Sequence, residues 1–240
     1  MNYAVIFAGG VGQRMNSKAK PKQFLEIHGK AIIVYTIEHF EKHPEIDAIA
    51  VACTESWISY LKNLIEEANF KKVKWILPGG ATALDSQYKC IAAIASNDVS
   101  REDIVLIHDG VRPLINYETI TKCIATVKSK GSAITMAPAT ETIISVDDDD
   151  RIISTTRRSD CRLARAPQAF YLKDIFSMHE RAYNEGKHDF IDSATMMQYY
   201  GKTIYTVEGP VENIKVTTPA DFYICRALLD AKENSQIYGL

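Results

Sequence analysis

The chain of 240 residues is long enough for one large α/β domain or for two small ones. Its composition is 46% hydrophobic and 24% charged, which is typical of a globular protein with a buried core and excludes a largely disordered chain. The formal net charge of −2 argues against bulk electrostatic binding of nucleic acid, so any anion site must be a local cluster of cations.

Cysteine usage and hydropathy indicate where the protein resides. The five cysteines are odd in number, widely spaced and without a Cys-x-x-Cys pair: Cys53, Cys90, Cys123, Cys161 and Cys225. This pattern predicts free thiols in a reducing compartment and argues against a zinc site. The N-terminal residues predict a strand without a signal-peptide pattern, and no apolar run reaches the roughly 18 residues of a membrane span. We therefore expect a cytoplasmic protein that contacts neither membrane nor nucleic acid.

Apolar runs of strand length alternate with segments of helical periodicity, which predicts an α/β fold with a mostly parallel sheet covered by helices on both faces. The predicted strands of this part are Tyr3–Ala8, Ile46–Cys53, Val73–Leu77, Asp103–His108 and Ala133–Ala137. The predicted helices between them are Ala31–His43, Ser56–Asn69, Leu84–Ala95 and Tyr117–Lys130. The strand 103–108 is almost wholly apolar, as a central parallel strand should be.

The stretch Glu141–Thr156 differs in character from the segments before it. Two β-branched runs flank four aspartates and Arg151, which predicts a β-hairpin with an acidic turn. An isolated two-stranded hairpin is marginal in water, so it must either pack on the body or embrace a second subunit. The aspartates lack the glycine and the distal glutamate of an EF-hand, so a solvated turn is favoured over a calcium site.

The last part of the chain returns to alternating elements. Predicted helices lie at Lys173–Glu185, Asp192–Tyr200 and Pro219–Lys232, and short strands are predicted at Thr203–Val207 and Asn213–Val216. No repeat, low-complexity linker or composition shift divides the chain. We therefore predict a single domain over residues 1–240 with residues 141–156 as a projecting arm.

A glycine-rich loop follows the first predicted strand directly, at residues 9–12, and the cations Arg14 and Lys22 come next. Glycines allow a close backbone approach, exposed N–H groups form a concave anion site, and the two cations suit phosphate oxygens. The spacing is not that of a Walker loop, and Met15 occupies the third glycine position of a dinucleotide fingerprint. The loop indicates a polyphosphate site, although the glycines alone would equally suit an ordinary strand-to-helix turn.

A second group of polar residues ends the strand 103–108, in the order His108-Asp109-Gly110-Val111-Arg112-Pro113. The carboxyl edge of an open α/β sheet is where ligands bind. Asp109 is there a candidate ligand for a Mg²⁺ that bridges phosphates, and the alternative is an aspartate that caps the next turn. His108 receives no role.

Four arginines lie within nine residues of this net-acidic chain: Arg157, Arg158, Arg162 and Arg165. A site for a phosphorylated substrate would explain them, and so would pairing with the acidic turn of the hairpin. From the residues alone, both explanations remain open.

The loop at Ala8–Met15, followed by Pro21–Phe24, resembles the signature of the small cytidylyltransferases, which include the methylerythritol-phosphate and ribitol-5-phosphate cytidylyltransferases. Later segments match the family in the same order: His108–Pro113, Pro138–Ile143 with Glu141 at an aspartate position, Pro167–Phe170, and Glu212–Asp221. The resemblance covers nearly the whole chain. It implies a Rossmann-like nucleotide-diphospho-sugar transferase fold, a magnesium cofactor and a homodimer formed through the hairpin arm.

The resemblance also implies roles for individual residues. It implies that the nucleotide is bound by Ala8, Gly9, Gly10, Gly12, Gly80 and Ser86. It implies that Arg14, Lys22 and Lys215 are catalytic and that Asp109 holds Mg²⁺. It also implies that the acceptor is bound across a dimer interface by Arg112, Thr142 and Arg158. Ala83 replaces a family arginine in the segment that faces the base.

The expected reaction joins CTP to a polyol phosphate, giving a CDP-polyol and pyrophosphate. Residues 8–10 are similar to the ribitol-phosphate enzymes, whereas the methylerythritol enzymes of isoprenoid synthesis more often carry Ala-Ala-Gly. The acceptors are therefore ranked as ribitol 5-phosphate, then methylerythritol phosphate, then another sugar or polyol phosphate of surface-glycan synthesis. The alternative from a different class is a non-catalytic nucleotide-binding regulatory subunit.

Overall fold

The computed structural model describes residues 1–9 and 20–238, within which eleven strands and seven α-helices are formed. The strands are β1 (Asn2–Ala8), β2 (Glu26–Ile27), β3 (Lys30–Ala31), β4 (Ala48–Cys53), β5 (Val73–Pro78), β6 (Ile104–Asp109), β7 (Ser132–Pro138), β8 (Ile143–Val146), β9 (Ile152–Thr156), β10 (Arg162–Tyr171) and β11 (Thr206–Glu208). The helices are α1 (Ile32–Lys42), α2 (Ile58–Glu67), α3 (Ala83–Ala95), α4 (Tyr117–Lys130), α5 (Leu172–Asn184), α6 (Ser193–Tyr199) and α7 (Pro219–Tyr238).

Seven strands form the central sheet, in the order β11-β7-β10-β6-β1-β4-β5. All neighbours are parallel except β10, which runs antiparallel to both β6 and β7. The carboxyl ends of β1 and β6 meet in register, with Phe7 opposite Asp109. The topology therefore brings the first loop and the end of β6 to the same edge of the sheet.

The core lies on both faces of this sheet, because alternate residues of a strand point to opposite sides. Ile6 of β1 belongs to the cluster that contains Phe40 of α1 and Ile124 of α4. Its neighbour Val5 belongs to the opposite cluster, with Ile91 of α3 and Ile175 of α5. Helices thus cover both faces, and the predicted fold class is confirmed. Within the described ranges, no helix combines the length and the apolar character needed to span a membrane.

Strand β10 was not predicted. Its first half carries Arg162 and Arg165 and its middle carries Pro167, so the sequence shows no continuous apolar run. Only the second half is buried against the neighbouring strands, and the pairing with β7 shifts register between Ala164 and Gln168. Tertiary contacts with β6 and β7 hold this strand between them, and the local hydrophobic pattern of the sequence does not predict such contacts.

The predicted strand Asn213–Val216 is wrong, since the segment is irregular. It is held instead by individual hydrogen bonds: the Val216 amide donates to the Val111 carbonyl (2.9 Å), and the buried Asn213 side chain donates to the Ala166 carbonyl (2.7 Å). The strand predicted at Thr203–Val207 is observed as β11, which begins later and is shorter. Helix α7 continues beyond its predicted end at Lys232.

The predicted hairpin is confirmed as β8 and β9, which pair antiparallel with each other in a sheet of their own. Its acidic turn is closed by Arg151, whose Nε lies 2.9 Å from Asp147 Oδ2. Four of its large apolar side chains face solvent: Ile144, Val146, Ile152 and Ile153. In this chain the hairpin therefore leaves an apolar strand pair uncovered.

Candidate active site

A cavity opens at the carboxyl edge of β1 and β6, where the sequence predicted the nucleotide site. Seven of the predicted site residues line it: Ala8, Gly9, Lys22, Gly80, Ser86, Asp109 and Lys215. The remaining residues predicted for this end of the site, Gly10, Gly12 and Arg14, lie outside the described residues. The structure thus brings together residues from both ends of the chain.

The wall of this first cavity depends on glycines where two loops meet. A Cβ added at Gly9 would lie 2.9 Å from Ser86 Oγ, and one at Gly80 would lie 2.2 Å from Asp85 Cβ. Ser86 Oγ accepts a hydrogen bond from the Gly80 amide (2.9 Å) and donates one to the Thr82 carbonyl (3.0 Å). The Ser86 hydroxyl therefore fixes the loop that precedes α3, and the glycines permit a backbone approach that no other residue allows.

The start of α3 is fixed by a capping box beside the same cavity. Thr82 Oγ1 accepts from the Asp85 amide, and the Asp85 carboxylate accepts from the Thr82 amide, both at 3.0 Å. The next residue, Ala83, lines this cavity and also a second one. Its methyl group stands where the resembling family carries an arginine, so less side-chain bulk stands between the two cavities.

Asp109 ends β6 and carries two cations. Lys215 Nζ lies 2.6 Å from its Oδ1, and Arg112 Nε lies 2.7 Å from its Oδ2. Burial alone would raise the pKa of Asp109, but the two adjacent positive charges outweigh burial and hold that pKa below its ordinary value. The carboxylate is therefore ionised at neutral pH.

Lys215 reaches Asp109 because the chain before α7 is anchored at both ends. On one side, Val216 donates to Val111. On the other, Asp221 Oδ2 accepts from the amides of Thr217 (2.9 Å) and Thr218 (2.7 Å), which caps the first turn of α7. The Lys215 side chain is 41% exposed, so its ammonium faces the cavity rather than the core.

A second cavity adjoins the first and shares Phe7, Ala83, Asp109 and Lys215 with it. Its other lining residues are mostly polar: Gln87, Ile107, Arg112, Ala164, Arg165, Ala166, Gln168, Ile191 and Asp192. The resemblance implied an acceptor-binding role for Arg112 but no role for Gln87, Gln168 or Asp192. Gln168 belongs to the Pro167-Gln168 pair that carried part of the resemblance. This pair was the sequence feature that could have identified Gln168 as a site residue.

Arg112 is buried and positioned by three neighbouring groups. Besides its bond to Asp109, its Nη1 donates to the Asn213 carbonyl at 2.9 Å. Its own carbonyl lies 3.1 Å from Nε2 of the buried His108. Burial lowers the pKa of His108 to about 4, so this imidazole is neutral and serves the structure.

The other two predicted acceptor residues lie elsewhere. Thr142 is exposed just before β8, and Arg158 is exposed in the turn after β9, where its Nη1 donates to the Thr140 carbonyl at 3.2 Å. Neither side chain lines the two cavities. A single chain thus places Arg112 at the cavity and places Thr142 and Arg158 at the base of the hairpin.

The residues present fit a magnesium ion that is held mainly by substrate. Among the described residues, no group of three or more His, Cys, Asp or Glu side chains could form a closed metal cage. One ionised carboxylate at a phosphate site is enough for Mg²⁺, which is usually held by one or two carboxylates together with phosphate oxygens and water. Asp109 is an ionised carboxylate that the two cavities share.

These features define a nucleotidyltransferase. The sequence matches the family described as "IspD: 2-C-methyl-D-erythritol 4-phosphate cytidylyltransferase" over residues 2–231, and the chain belongs to this family. A ribitol-5-phosphate cytidylyltransferase of Streptococcus agalactiae serotype Ia is 51% identical over 240 residues, which is all of both chains. A 2-C-methyl-D-erythritol 4-phosphate cytidylyltransferase of Clostridium botulinum is 34% identical over 229 residues, covering 95% of this chain and 97% of that protein.

The fold agrees with solved structures of the same family. The crystal structure of 4-diphosphocytidyl-2C-methyl-D-erythritol synthase from Anaerococcus prevotii superposes with a TM-score of 0.83 at 26% identity, covering 95% of this chain and 96% of that one. The Rossmann-like transferase fold expected from the resemblance is thereby confirmed.

Proposed function

We propose that this enzyme transfers CMP from CTP to D-ribitol 5-phosphate, giving CDP-ribitol and pyrophosphate. The observation that carries the proposal is the pair of cavities that meet at Asp109 and Lys215. One is walled by the glycine loops and suits a nucleotide, and the other is walled by arginines and amides and suits a phosphorylated polyol. Full-length identity of 51% to a ribitol-phosphate enzyme, against 34% to a methylerythritol-phosphate enzyme, supports ribitol 5-phosphate over the second candidate acceptor.

In the proposed reaction, a phosphate oxygen of the acceptor forms a bond to the α-phosphorus of CTP. The bond from that phosphorus to the bridging oxygen breaks, and the electron pair leaves with pyrophosphate. The nucleophile is already anionic, so no general base is required, and catalysis consists of positioning and charge stabilisation. Lys215 stands at the junction of the cavities and would neutralise charge on the α-phosphate, while Lys22 and Arg14 would stabilise the triphosphate and the departing group.

When bound, Mg²⁺ would neutralise phosphate oxygens, with Asp109 as its protein ligand. Arg112 keeps one oxygen of that carboxylate in place through its 2.7 Å contact. Lys215 contacts the other oxygen and is half-exposed, so its ammonium is free to turn towards a bound phosphate.

We also propose that the active form is a homodimer in the cytoplasm. The uncovered apolar side chains of the hairpin support a second copy as its partner. The exposure of Thr142 and Arg158 at the hairpin base supports acceptor binding across that interface. The five cysteines are free, which suits a reducing compartment.

A pyrophosphate-release assay with CTP, Mg²⁺ and a panel of polyol phosphates tests the proposal. We expect release with ribitol 5-phosphate and a much smaller kcat/KM with methylerythritol 4-phosphate. A larger kcat/KM with methylerythritol 4-phosphate would overturn the assigned acceptor. Tight CTP binding without release from any acceptor would favour the regulatory subunit instead.

A further inference from the structure

Arg165 lies on β10 and faces the second cavity without a full set of partners. Its Nη1 donates to the Asn213 carbonyl at 3.1 Å. Its Nε is buried and has no hydrogen-bond partner within the described part of the chain. A buried donor that is left unpaired is costly, so this N–H indicates a missing acceptor.

The charge of Arg165 is also uncompensated. Arg112 donates to the same Asn213 carbonyl, which draws two guanidinium groups onto one oxygen. Arg112 has the Asp109 carboxylate as its partner, whereas no carboxylate of the described residues pairs with Arg165. Burial, and after it the positive charge of Arg112, lower the pKa of Arg165, which shows an environment unfavourable to its charge.

The other acid of the cavity does not supply the missing charge. Asp192 Oδ1 accepts from the Thr195 amide (2.8 Å) and from Thr195 Oγ1 (2.7 Å), and its Oδ2 accepts from Gln168 Nε2 (2.8 Å). One oxygen of this carboxylate caps α6 and the other is bound by Gln168 of β10, so both are occupied. The cavity therefore presents one cation more than its acids can neutralise, and an anion that enters from solvent would satisfy it.

We propose that Arg165 binds the phosphate group of the acceptor substrate. A guanidinium offers several N–H groups in a fixed plane that suits phosphate oxygens. The position of Arg165 in a cavity that also contains Lys215 would hold the nucleophilic phosphate beside the site of attack. The inference rests on the proposed function and adds to it a substrate-binding residue that neither the sequence motifs nor the family resemblance assigned.

Steady-state kinetics of Arg165→Gln, Arg165→Lys and Arg162→Gln test this. Arg162 is the matched control, because it is an exposed arginine on the same strand. Its Nη1 donates to the nearby carbonyls of Ser159 and Cys161. We expect Arg165→Gln to raise the KM for ribitol 5-phosphate by about 30-fold, the effect of losing charged hydrogen bonds, with the KM for CTP nearly unchanged. Arg165→Lys should recover part of this loss, and Arg162→Gln should behave as wild type.

A rise confined to the KM for CTP would assign Arg165 to the triphosphate and overturn the proposal. An unchanged acceptor KM in Arg165→Gln would also overturn it. A purely structural role would lower the melting temperature and kcat without this selective change in KM.

A binding experiment separates this inference from the proposed function. With the nucleotide site filled by saturating CTP and Mg²⁺, inorganic phosphate should raise the melting temperature of wild type and of Arg162→Gln, but not that of Arg165→Gln. An equal rise in all three proteins would refute a phosphate site at Arg165. If wild type released no pyrophosphate with any acceptor, the proposed reaction would fail while this measurement still decided whether Arg165 binds phosphate.

Discussion

Replacement of Lys215 by methionine removes one charge from the junction of the two cavities while keeping most of the side-chain length. The ammonium lies 2.6 Å from Asp109 Oδ1. In the proposed mechanism it stabilises charge that develops on the α-phosphate. Loss of one such electrostatic donor costs about 10²–10³ in turnover. We therefore expect kcat of Lys215→Met to fall by this factor.

The same substitution should cost little stability. Asp109 is 9% exposed at its side chain but Lys215 is 41% exposed, so solvent screens their attraction. Asp109 also keeps Arg112 as a partner. The expected loss in the free energy of unfolding is about 1 kcal/mol, close to that of an exposed ion pair and well below that of a fully buried one.

Lys122→Met is the matched control, because Lys122 Nζ lies 2.6 Å from Glu118 Oε1 in an exposed pair on α4. Pyrophosphate release gives kcat, and urea denaturation gives the free energy of unfolding. The control should keep its turnover and lose at most about 1 kcal/mol. Turnover of Lys215→Met within threefold of wild type would refute the assignment of Lys215 to the reacting phosphate.

Three further predictions follow from the same geometry. Lys22→Ala should lower kcat about 10²–10³-fold, and near-normal pyrophosphate release would remove Lys22 from the site. Ile153→Asp on the exposed face of β9 should convert a dimer to a monomer in sedimentation and should raise the KM for the acceptor. Arg158→Ala should also raise the KM for the acceptor, but it should leave the sedimentation unchanged. The pKa of buried His108 is about 4, below its value in the unfolded chain, so the unfolded state binds more protons. The contribution of His108 to the free energy of unfolding should therefore fall by up to about 3 kcal/mol as the pH drops from 6.5 to 4. His108→Gln should reduce this dependence of the melting temperature on pH. The remaining dependence comes in part from His39 and the buried His179, whose pKa values burial also lowers to about 4. The same change at exposed His188 should leave the dependence in place.

The central strands could be predicted because each is an apolar run that is buried on both faces. Strands β1, β4 and β6 were found within two residues of their observed bounds for this reason. The strand predicted at residues 213–216 failed because Ile214 and Val216 suggest a strand, while the buried Asn213 side chain bonds to a carbonyl 47 positions away. Such a long-range bond leaves no periodic signal in the sequence.

Among the site residues too, those with a local sequence signal could be predicted and those positioned by long-range contacts could not. Gly9, Asp109 and Lys215, which line one cavity, could be singled out because their motifs are local, and the resemblance supplied their proximity. Arg165 could not be separated from its three neighbouring arginines, because the register shift of β10 between Ala164 and Gln168 decides which side chain faces the cavity. A one-residue change of register reverses the face that a strand side chain occupies.

The antiparallel direction of β10 explains why the hairpin and the second cavity lie at the same edge of the sheet. Strand β7 ends at Pro138 on the carboxyl edge of the sheet, and Arg162 at the start of β10 pairs with it there. The hairpin between these two residues must therefore project from the edge that holds Asp109. A second copy that covered the hairpin would bring its own surface close to this edge. Under the proposed function, β10 and the arm would then recognise the acceptor while the glycine loop would serve the nucleotide. Relatives that share the loop can accordingly differ in the polyol phosphate that they accept.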